Sequence, residues 1–280
     1  MPVTLAFDVY GTLIDTHGLV SNLQGLIGEN ARAFSQTWRE KQLEYSFRRG
    51  LMQNYVNFAV CTREALDYTC QVYRAALTAE QKDRLLESYR SLPAFADVEQ
   101  GLARLNHAGF RLYAFSNGSS EAVEGLLVSA GIREAFLGVV SVDDLKSFKP
   151  NPAVYAHFLR VSGATGSNAW LISSNPFDVI GAVSAGMRAA WIQRSEEAIF
   201  DPWGIEPTLT VKGLEDLHKK IRYPAVVCAS ANACGVFRLS RCSPSGKGSA
   251  ASIQGAIRRI TRNSFLSSAS LISGNNWLDQ

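Results

Sequence analysis

Val3-Thr4-Leu5-Ala6-Phe7-Asp8-Val9-Tyr10-Gly11-Thr12 is an apolar run that closes on an acid, an aromatic and a Gly-Thr turn. A short apolar stretch bounded by turn residues reads as a buried strand. The acid at its carboxyl end is out of keeping with the residues before it. Working outward, no comparable strand follows between about residues 17 and 92; helical patterns rich in Trp, Leu and Tyr fill that interval, notably 31–52 and 62–77.

From residue 98 strands and helices alternate. A helical pattern to His107 leads into a strand at 110–115 and a helix at 121–130 stopped by Gly131. A strand at 137–142, a helix from Pro152 to about 161 and a strand at 169–173 come next. A helix at 179–185, stopped by Gly186, leads to a strand at 189–193 that closes the series. Glycines after helices are the expected punctuation. This alternation predicts an α/β fold with a doubly wound, mainly parallel sheet. The helical insert after the first strand is expected to form a smaller domain over the sheet's edge. The boundaries read as a core of 1–14 plus 97–223, a helical domain of 15–96 and a tail of 224–280.

Composition narrows the classes. The chain has 280 residues, 46% of them hydrophobic and 19% charged, which excludes a disordered chain and allows a sizeable core. The formal charge is +3, but residues 224–280 hold six basic residues, one acid and eleven serines, leaving the body at −2. A slightly acidic body argues against nucleic-acid binding. The tail's weak periodicity predicts poor order. The first residues lack the basic region of a signal peptide and meet an acid at Asp8. No uncharged stretch suffices to span a membrane. Five cysteines, at 61, 70, 228, 234 and 242, fit neither a zinc ribbon nor a C-x-x-C pair, as expected of reduced thiols in the cytoplasm. The four histidines, at 17, 107, 157 and 218, are scattered, with no triad or metal spacing. No Gly-rich phosphate loop and no internal repeat is present.

Open α/β sheets bind ligands beyond the carboxyl ends of their strands. Four such ends carry polar residues: Asp8-Val9-Tyr10-Gly11-Thr12, Ser116-Asn117-Gly118, Lys149-Pro150 and Ser173-Ser174-Asn175-Pro176-Phe177-Asp178. Each alone has an ordinary reading as a turn residue, a helix cap, a solvated charge or an N-terminal helix acid. Four in succession at strand ends point to one site.

Together these segments resemble the four motifs of the haloacid dehalogenase superfamily. Trp38-Arg39-Glu40-Lys41-Gln42-Leu43-Glu44-Tyr45 and the 173–178 segment are similar to its (S)-2-haloacid dehalogenase subfamily, and the resemblance spans roughly residues 3–220. It implies a Rossmann-like core with a helical cap domain inserted after the first strand. It also implies hydrolysis of (S)-2-haloalkanoic acids to (R)-2-hydroxy acids by a cofactor-independent cytoplasmic enzyme, a homodimer. Phosphatases of the superfamily carry a second Asp two residues after the nucleophile, where Tyr10 stands here. A departing halide needs no proton, so that loss fits dehalogenation. The phosphatases' Mg²⁺ is usually held by acids in the last motif. Ser173, Ser174 and Asn175 occupy that neighbourhood, which makes a poor magnesium site.

Carried over residue by residue, the resemblance makes Asp8 the nucleophile and Arg39, with Asn117, the halide receiver. Ser116, with backbone amides near Tyr10 and Asn117, would hold the substrate carboxylate. Lys149 would neutralise the crowd of carboxylates. Thr12, Tyr155, Ser173 and Asn175 would orient the network, and Asp178 would position or deprotonate the hydrolytic water. Tyr10, Gly11, Leu43, Phe58 and Phe177 fall on substrate-binding positions. Trp38, Tyr45, Phe47, Tyr55 and Phe58 read as the core of the helical domain or a dimer face.

Two departures bear on substrate range: Glu40 stands where the subfamily has an amide, and Phe177 where it has Trp. An acid near an anionic substrate weakens binding unless it turns outward. Pro176, where a small residue is common, is expected to stiffen the turn before Asp178. Two other readings stay open at this point, a phosphatase on the same scaffold and a non-catalytic binding protein that kept the fold.

Overall fold

The computed structural model describes residues 2–221, so the expectations for 224–280, and for Cys228, Cys234 and Cys242, lie outside the described residues. Strand β1 (Thr4–Phe7) is buried at all four positions. Four helices follow before the next strand: α1 (Leu19–Ile27), α2 (Ala31–Leu51), α3 (Phe58–Val72) and α4 (Ala79–Ser88). Then come α5 (Val98–His107), β2 (Arg111–Ser116), α6 (Ser120–Ser129), β3 (Gly138–Ser141), α7 (Pro152–Ser162), β4 (Ala169–Ser173), α8 (Pro176–Ser184), β5 (Arg188–Ile192), β6 (Leu209–Val211) and α9 (Leu217–Lys220).

The sheet order is β3-β2-β1-β4-β5-β6, and every pairing is parallel. Alternation along each strand feeds two cores. Leu5, Phe7, Trp170 and Ile172 point to one face, and Ala6, Phe115, Leu171 and Ala189 to the other. A parallel sheet covered on both sides explains why its strands read as near-continuous apolar runs.

Three local expectations need correction. The strand series does not close at 193. β6 adds to the edge beside β5, and its three residues are too short for a periodic signal. α3 covers Phe58–Val72 rather than 62–77. Asn57 caps its start, its side chain accepting the Val60 amide hydrogen, and the chain leaves helical geometry by Arg74, at φ 51°. α8 starts at Pro176, not 179, because proline is pre-set for the first helical position and its missing N–H costs nothing there.

The helical segment has its own packing. Trp38 is fully buried and its indole N–H donates to the Thr62 carbonyl at 2.9 Å, tying α2 to α3. Its ring meets Phe34 and Tyr89 edge-on. Phe58 is also buried, whereas Tyr45, Phe47 and Tyr55 are half-buried. The chain leaves the sheet through Leu13–Asp15 and returns through 93–97. These two connections pair with one another, the Asp15 amide donating to the Pro93 carbonyl at 2.9 Å and the Phe95 amide to the Leu13 carbonyl at 3.0 Å.

Candidate active site

The sheet order changes direction at β1. From there the chain steps to β2 and β3 on one side and to β4, β5 and β6 on the other. The crevice at such a switch point is where open α/β sheets place ligands. The β1 and β4 ends face each other across it, the Asp8 amide donating to the Ile172 carbonyl at 2.9 Å. Asp8 and Ser173 thus lie side by side because of register alone.

Asp8 is 8% exposed and its two oxygens are treated differently. Oδ2 accepts from Thr12 Oγ1 at 2.9 Å, Asn175 Nδ2 at 2.7 Å and Ser173 Oγ at 3.2 Å. Oδ1 accepts one bond, from Lys149 Nζ at 3.2 Å. Between them the flanking turns bend sharply. Gly11 adopts φ +84°, where a side chain is strained, which lets the turn double back so that Ser174 Oγ donates to the Gly11 carbonyl at 2.7 Å.

Lys149 is not the solvated charge its sequence context allows. It is 1% exposed, and its ammonium donates to Asp8, to Asp178 Oδ2 at 2.8 Å and to the Phe115 carbonyl at 2.8 Å. The Lys149–Pro150 peptide is cis. Burial alone would lower the lysine's pKa. The two carboxylates outweigh it, and the net shift is upward. Asp178 is fully buried, and burial, joined by the like charge of Asp8, lifts its carboxyl above the ordinary range against the pull of Lys149. Tyr155 Oη donates to Asp178 Oδ1 at 2.8 Å, and burial with that neighbouring charge keeps it a neutral phenol.

The third strand end supplies Ser116 and Asn117. Ser116 Oγ accepts the Gly118 amide hydrogen at 3.1 Å, ordering the turn at the mouth of α6. Asn117 Oδ1 accepts the Lys149 amide hydrogen at 2.9 Å, so its NH₂ is the end that remains to donate.

From α2, Arg39 reaches down to the sheet. Its Nη2 donates to the Tyr10 carbonyl at 3.3 Å and its Nη1 to Gln42 Oε1 at 2.8 Å. Glu40 is exposed and accepts from Gln36 Nε2 at 2.6 Å, so the acid does turn away. Tyr10 packs near Phe58, with ring centroids 6.3 Å apart, and burial pushes its phenol up to about 12 against the nearby Arg39 and Arg90. Leu43 is half-buried beside the cluster containing Phe58. Phe177 instead meets Phe47 edge-on at 4.9 Å. A cavity of about 880 Å³ opens beside Tyr10, Gln42, Phe58, Tyr89 and Gly118.

The fold therefore gathers Asp8, Thr12, Lys149, Tyr155, Ser173, Asn175 and Asp178 into one bonded network. Arg39 touches its edge through Tyr10, and Ser116 and Asn117 flank it. Three contributors escape the sequence reading. Gln42 is buried and anchors Arg39, while its own NH₂ donates to Thr62 Oγ1. An amide one turn from an arginine is the only signal for it. Ser174, whose backbone amide donates to Thr12 Oγ1 at 2.9 Å, hides among the adjacent polar residues. Gly181 is a mid-helix glycine, and a Cβ there would lie 2.4 Å from Tyr155 Oη, so its absence lets the phenol reach Asp178.

A magnesium ion does not fit this donor set. The one other carboxylate bonded into the Asp8 network, Asp178, is already bridged to Asp8 by an ammonium. Among the described residues no group of three or more His, Cys, Asp or Glu is placed to hold a metal. No helix among them is long and apolar enough to cross a membrane.

A carboxylate at the switch point of a parallel sheet, with its charge offset by one buried lysine, defines a hydrolase built around an aspartate. The family model described as haloacid dehalogenase-like hydrolase matches residues 3–186. The chain is 35% identical over 210 residues to an (S)-2-haloacid dehalogenase of Pseudomonas sp. (strain YL), covering 75% of this chain and 90% of that one. It is 36% identical to haloacetate dehalogenase H-2 of Moraxella sp. (strain B), over 74% and 92% of the two chains. The L-2-haloacid dehalogenase of Xanthobacter autotrophicus with chloropropionic acid covalently bound superposes with a TM-score of 0.75 at 31% identity, covering 80% of this chain and all of that one. The chain belongs to the haloacid dehalogenase-like hydrolases, in their (S)-2-haloacid dehalogenase branch.

Proposed function

We propose that this protein hydrolyses (S)-2-haloalkanoic acids to (R)-2-hydroxy acids and halide through an ester on Asp8. The observation that carries the mechanism is the asymmetry of the Asp8 carboxylate. Oδ2 is held by three donors, while Oδ1 has a single bond, from Lys149. Oδ1 is the nucleophile. It attacks C2 in line, and the carbon–halogen bond breaks with its electron pair leaving as halide. Arg39 and the Asn117 NH₂ receive the halide, guanidinium being weakly hydrated and always charged. Ser116 and the nearby backbone amides hold the substrate carboxylate. Tyr10 and Phe58, which border the cavity, line the space around C2, while Gly11, Leu43 and Phe177 stand at the positions the resemblance assigns to substrate binding.

Water then attacks the Asp8 carboxyl carbon and gives its proton to Asp178. The developing oxyanion sits on Oδ2, where Thr12, Ser173 and Asn175 already point, so the stabilising donors need no reorganisation. Collapse of the intermediate breaks the Cγ–Oδ1 bond, the departing alkoxide takes the proton back from Asp178, and the hydroxy acid leaves with Oδ1 as its hydroxyl oxygen. Tyr155 and Lys149 keep Asp178 aimed. No step calls for a metal, because an uncharged carbon is attacked and Lys149 already balances the carboxylates. The segment 15–96 acts as a cap that brings Arg39 over a core of 1–14 plus 97–223.

The proposal extends to a cytoplasmic homodimer. In its favour are two buried free thiols, Cys61 and Cys70, and the exposed Leu51 and Met52 at the end of α2. Chloride release from (S)-2-chloropropionate, measured with a chelator present, tests the activity. Wild type sustains release and Asp8→Asn loses it. Equal rates in the two would defeat the assignment of Asp8.

A further inference from the structure

Thr12 presents its hydroxyl to Asp8 on one side and its carbonyl to a different group on the other. That group is Arg194, two residues beyond β5 and outside the 3–186 segment that the family model matches. Its Nη2 donates to the Thr12 carbonyl at 2.6 Å and its Nη1 to Asp97 Oδ1 at 2.6 Å. The guanidinium carbon lies 4.2 Å from the centroid of the Phe95 ring, and the side chain is 14% exposed. Asp97 is itself fixed, its Oδ2 accepting the Leu214 amide hydrogen at 2.7 Å.

These partners are not scattered. Thr12 begins the connection by which the chain leaves the sheet for the helical segment. Phe95 and Asp97 end the connection by which it returns. The two connections already form a short ladder through Asp15–Pro93 and Phe95–Leu13. Arg194 reaches across from the end of β5, two strands from β1 in the sheet, and grips both. One guanidinium fork can hold two acceptors on different segments at a fixed angle, which an ammonium on a flexible stem does not reproduce.

We infer that Arg194 is a positioning residue for the dehalogenation proposed above. It fixes the Thr12 peptide, hence the hydroxyl on Asp8 Oδ2, and pins the two connections that set where Arg39 comes down over the site. It touches neither the site's other polar groups nor the cavity beside Tyr10, so it acts on the alignment of the nucleophile and not on ground-state binding. Misplacement of reacting groups by about 1 Å costs on the order of a hundredfold.

The test compares Arg194→Met, Arg194→Lys and Arg194→Gly with wild type. Arg194→Met is expected to lower kcat for halide release by about ten- to a hundredfold with KM within about threefold, the split expected when an interaction is made only along the reaction path. Arg194→Lys, which keeps charge but loses the fork, falls between. Millimolar guanidinium added to Arg194→Gly restores part of kcat, and methylammonium does not. Hydrogen exchange speeds up at residues 11–15 and 93–97 together in Arg194→Met.

A lowered Tm with kcat and exchange at both connections unchanged would make Arg194 a fold-stabilising residue only and overturn the inference. So would a KM effect without a kcat effect. If Arg194→Met does not fold, guanidinium rescue of Arg194→Gly decides. Failure of rescue in folded Arg194→Gly also counts against the clamp. Should wild type release no halide at all, the dehalogenase reading fails by itself, and the exchange experiment still tests whether Arg194 holds both connections.

Discussion

The two halves of the site are built on different principles. The sheet half is a closed network: Asp8, Lys149, Asp178, Tyr155, Ser173 and Asn175 bond to one another, and Lys149 and Asp178 are almost entirely removed from solvent. Among the described residues the helical half bonds the strand ends at two points, Arg39 to the Tyr10 carbonyl and Tyr55 to Asp143 just beyond β3, and Arg39 itself is anchored within its own segment through Gln42 and Thr62. The difference teaches a division of labour. Groups whose charges must stay balanced through bond making are locked in the core. The group that meets the halide rides on a separate helix, where its fit to the leaving group can vary without disturbing the nucleophile.

Breaking the sheet half should cost both activity and fold. Lys149→Met leaves two carboxylates sharing a buried site without a cation. Breaking a buried ion network costs about 3–5 kcal/mol. Halide release should disappear and thermal denaturation should show a large drop in Tm. A variant that melted like wild type would mean the network is not the closed unit described here. Arg39→Lys, on the helical side, should lower halide release by roughly a hundredfold, on the scale of a lost electrostatic donor, while Tm moves little. A matching loss of stability would erase the contrast between the halves.

The pH response sharpens it further. Asp178 is held above the ordinary carboxylate range by burial and by Asp8, so as a base it takes up its proton at a higher pH than an exposed carboxylate does. Decay of the Asp8 ester, followed by rapid quench, should therefore slow with falling pH before exposed carboxylates titrate. Formation of the ester should not share that limb. For folding the signs differ. A raised carboxyl pKa favours the folded state only at low pH, and that contribution is gone above the raised value. The raised Lys149 pKa contributes stability that is fully present below the ordinary lysine value of about 10.5 and is lost as pH rises through the folded one. The Tm of wild type should thus decline on the alkaline side, a decline that Lys149→Met lacks. The smallest effect is expected at Glu40. It faces solvent and bonds Gln36, so Glu40→Gln should change KM by less than about twofold.

The same division explains what could be read from the residues alone. Asp8, Ser116, Lys149 and Asp178 are legible because each interrupts or follows an apolar run at a strand end, and the α/β rhythm from residue 98 onward gives the sheet around them. Sheet order is not local, so the pairing of β1 with β4 that sets Asp8 beside Ser173 appears only in the fold. β6 is three residues long and carries no period. Gln42 and Gly181 act through distance: an amide on a helix and a glycine within one look ordinary until a partner arrives from another element. Arg39 stands out in the sequence through resemblance alone, since one arginine among the charges of α2 has no pattern of its own.

The central claim is that the Asp8 carboxylate becomes an ester whose carbonyl carbon is attacked by water. A single turnover in ¹⁸O-labelled water, with enzyme in excess over (S)-2-chloropropionate, measures it directly by mass spectrometry of the Asp8 peptide and of the product. The ester mechanism predicts ¹⁸O in the Asp8 carboxylate and none in the first hydroxy acid released. Label in the hydroxy acid with Asp8 unlabelled would contradict it.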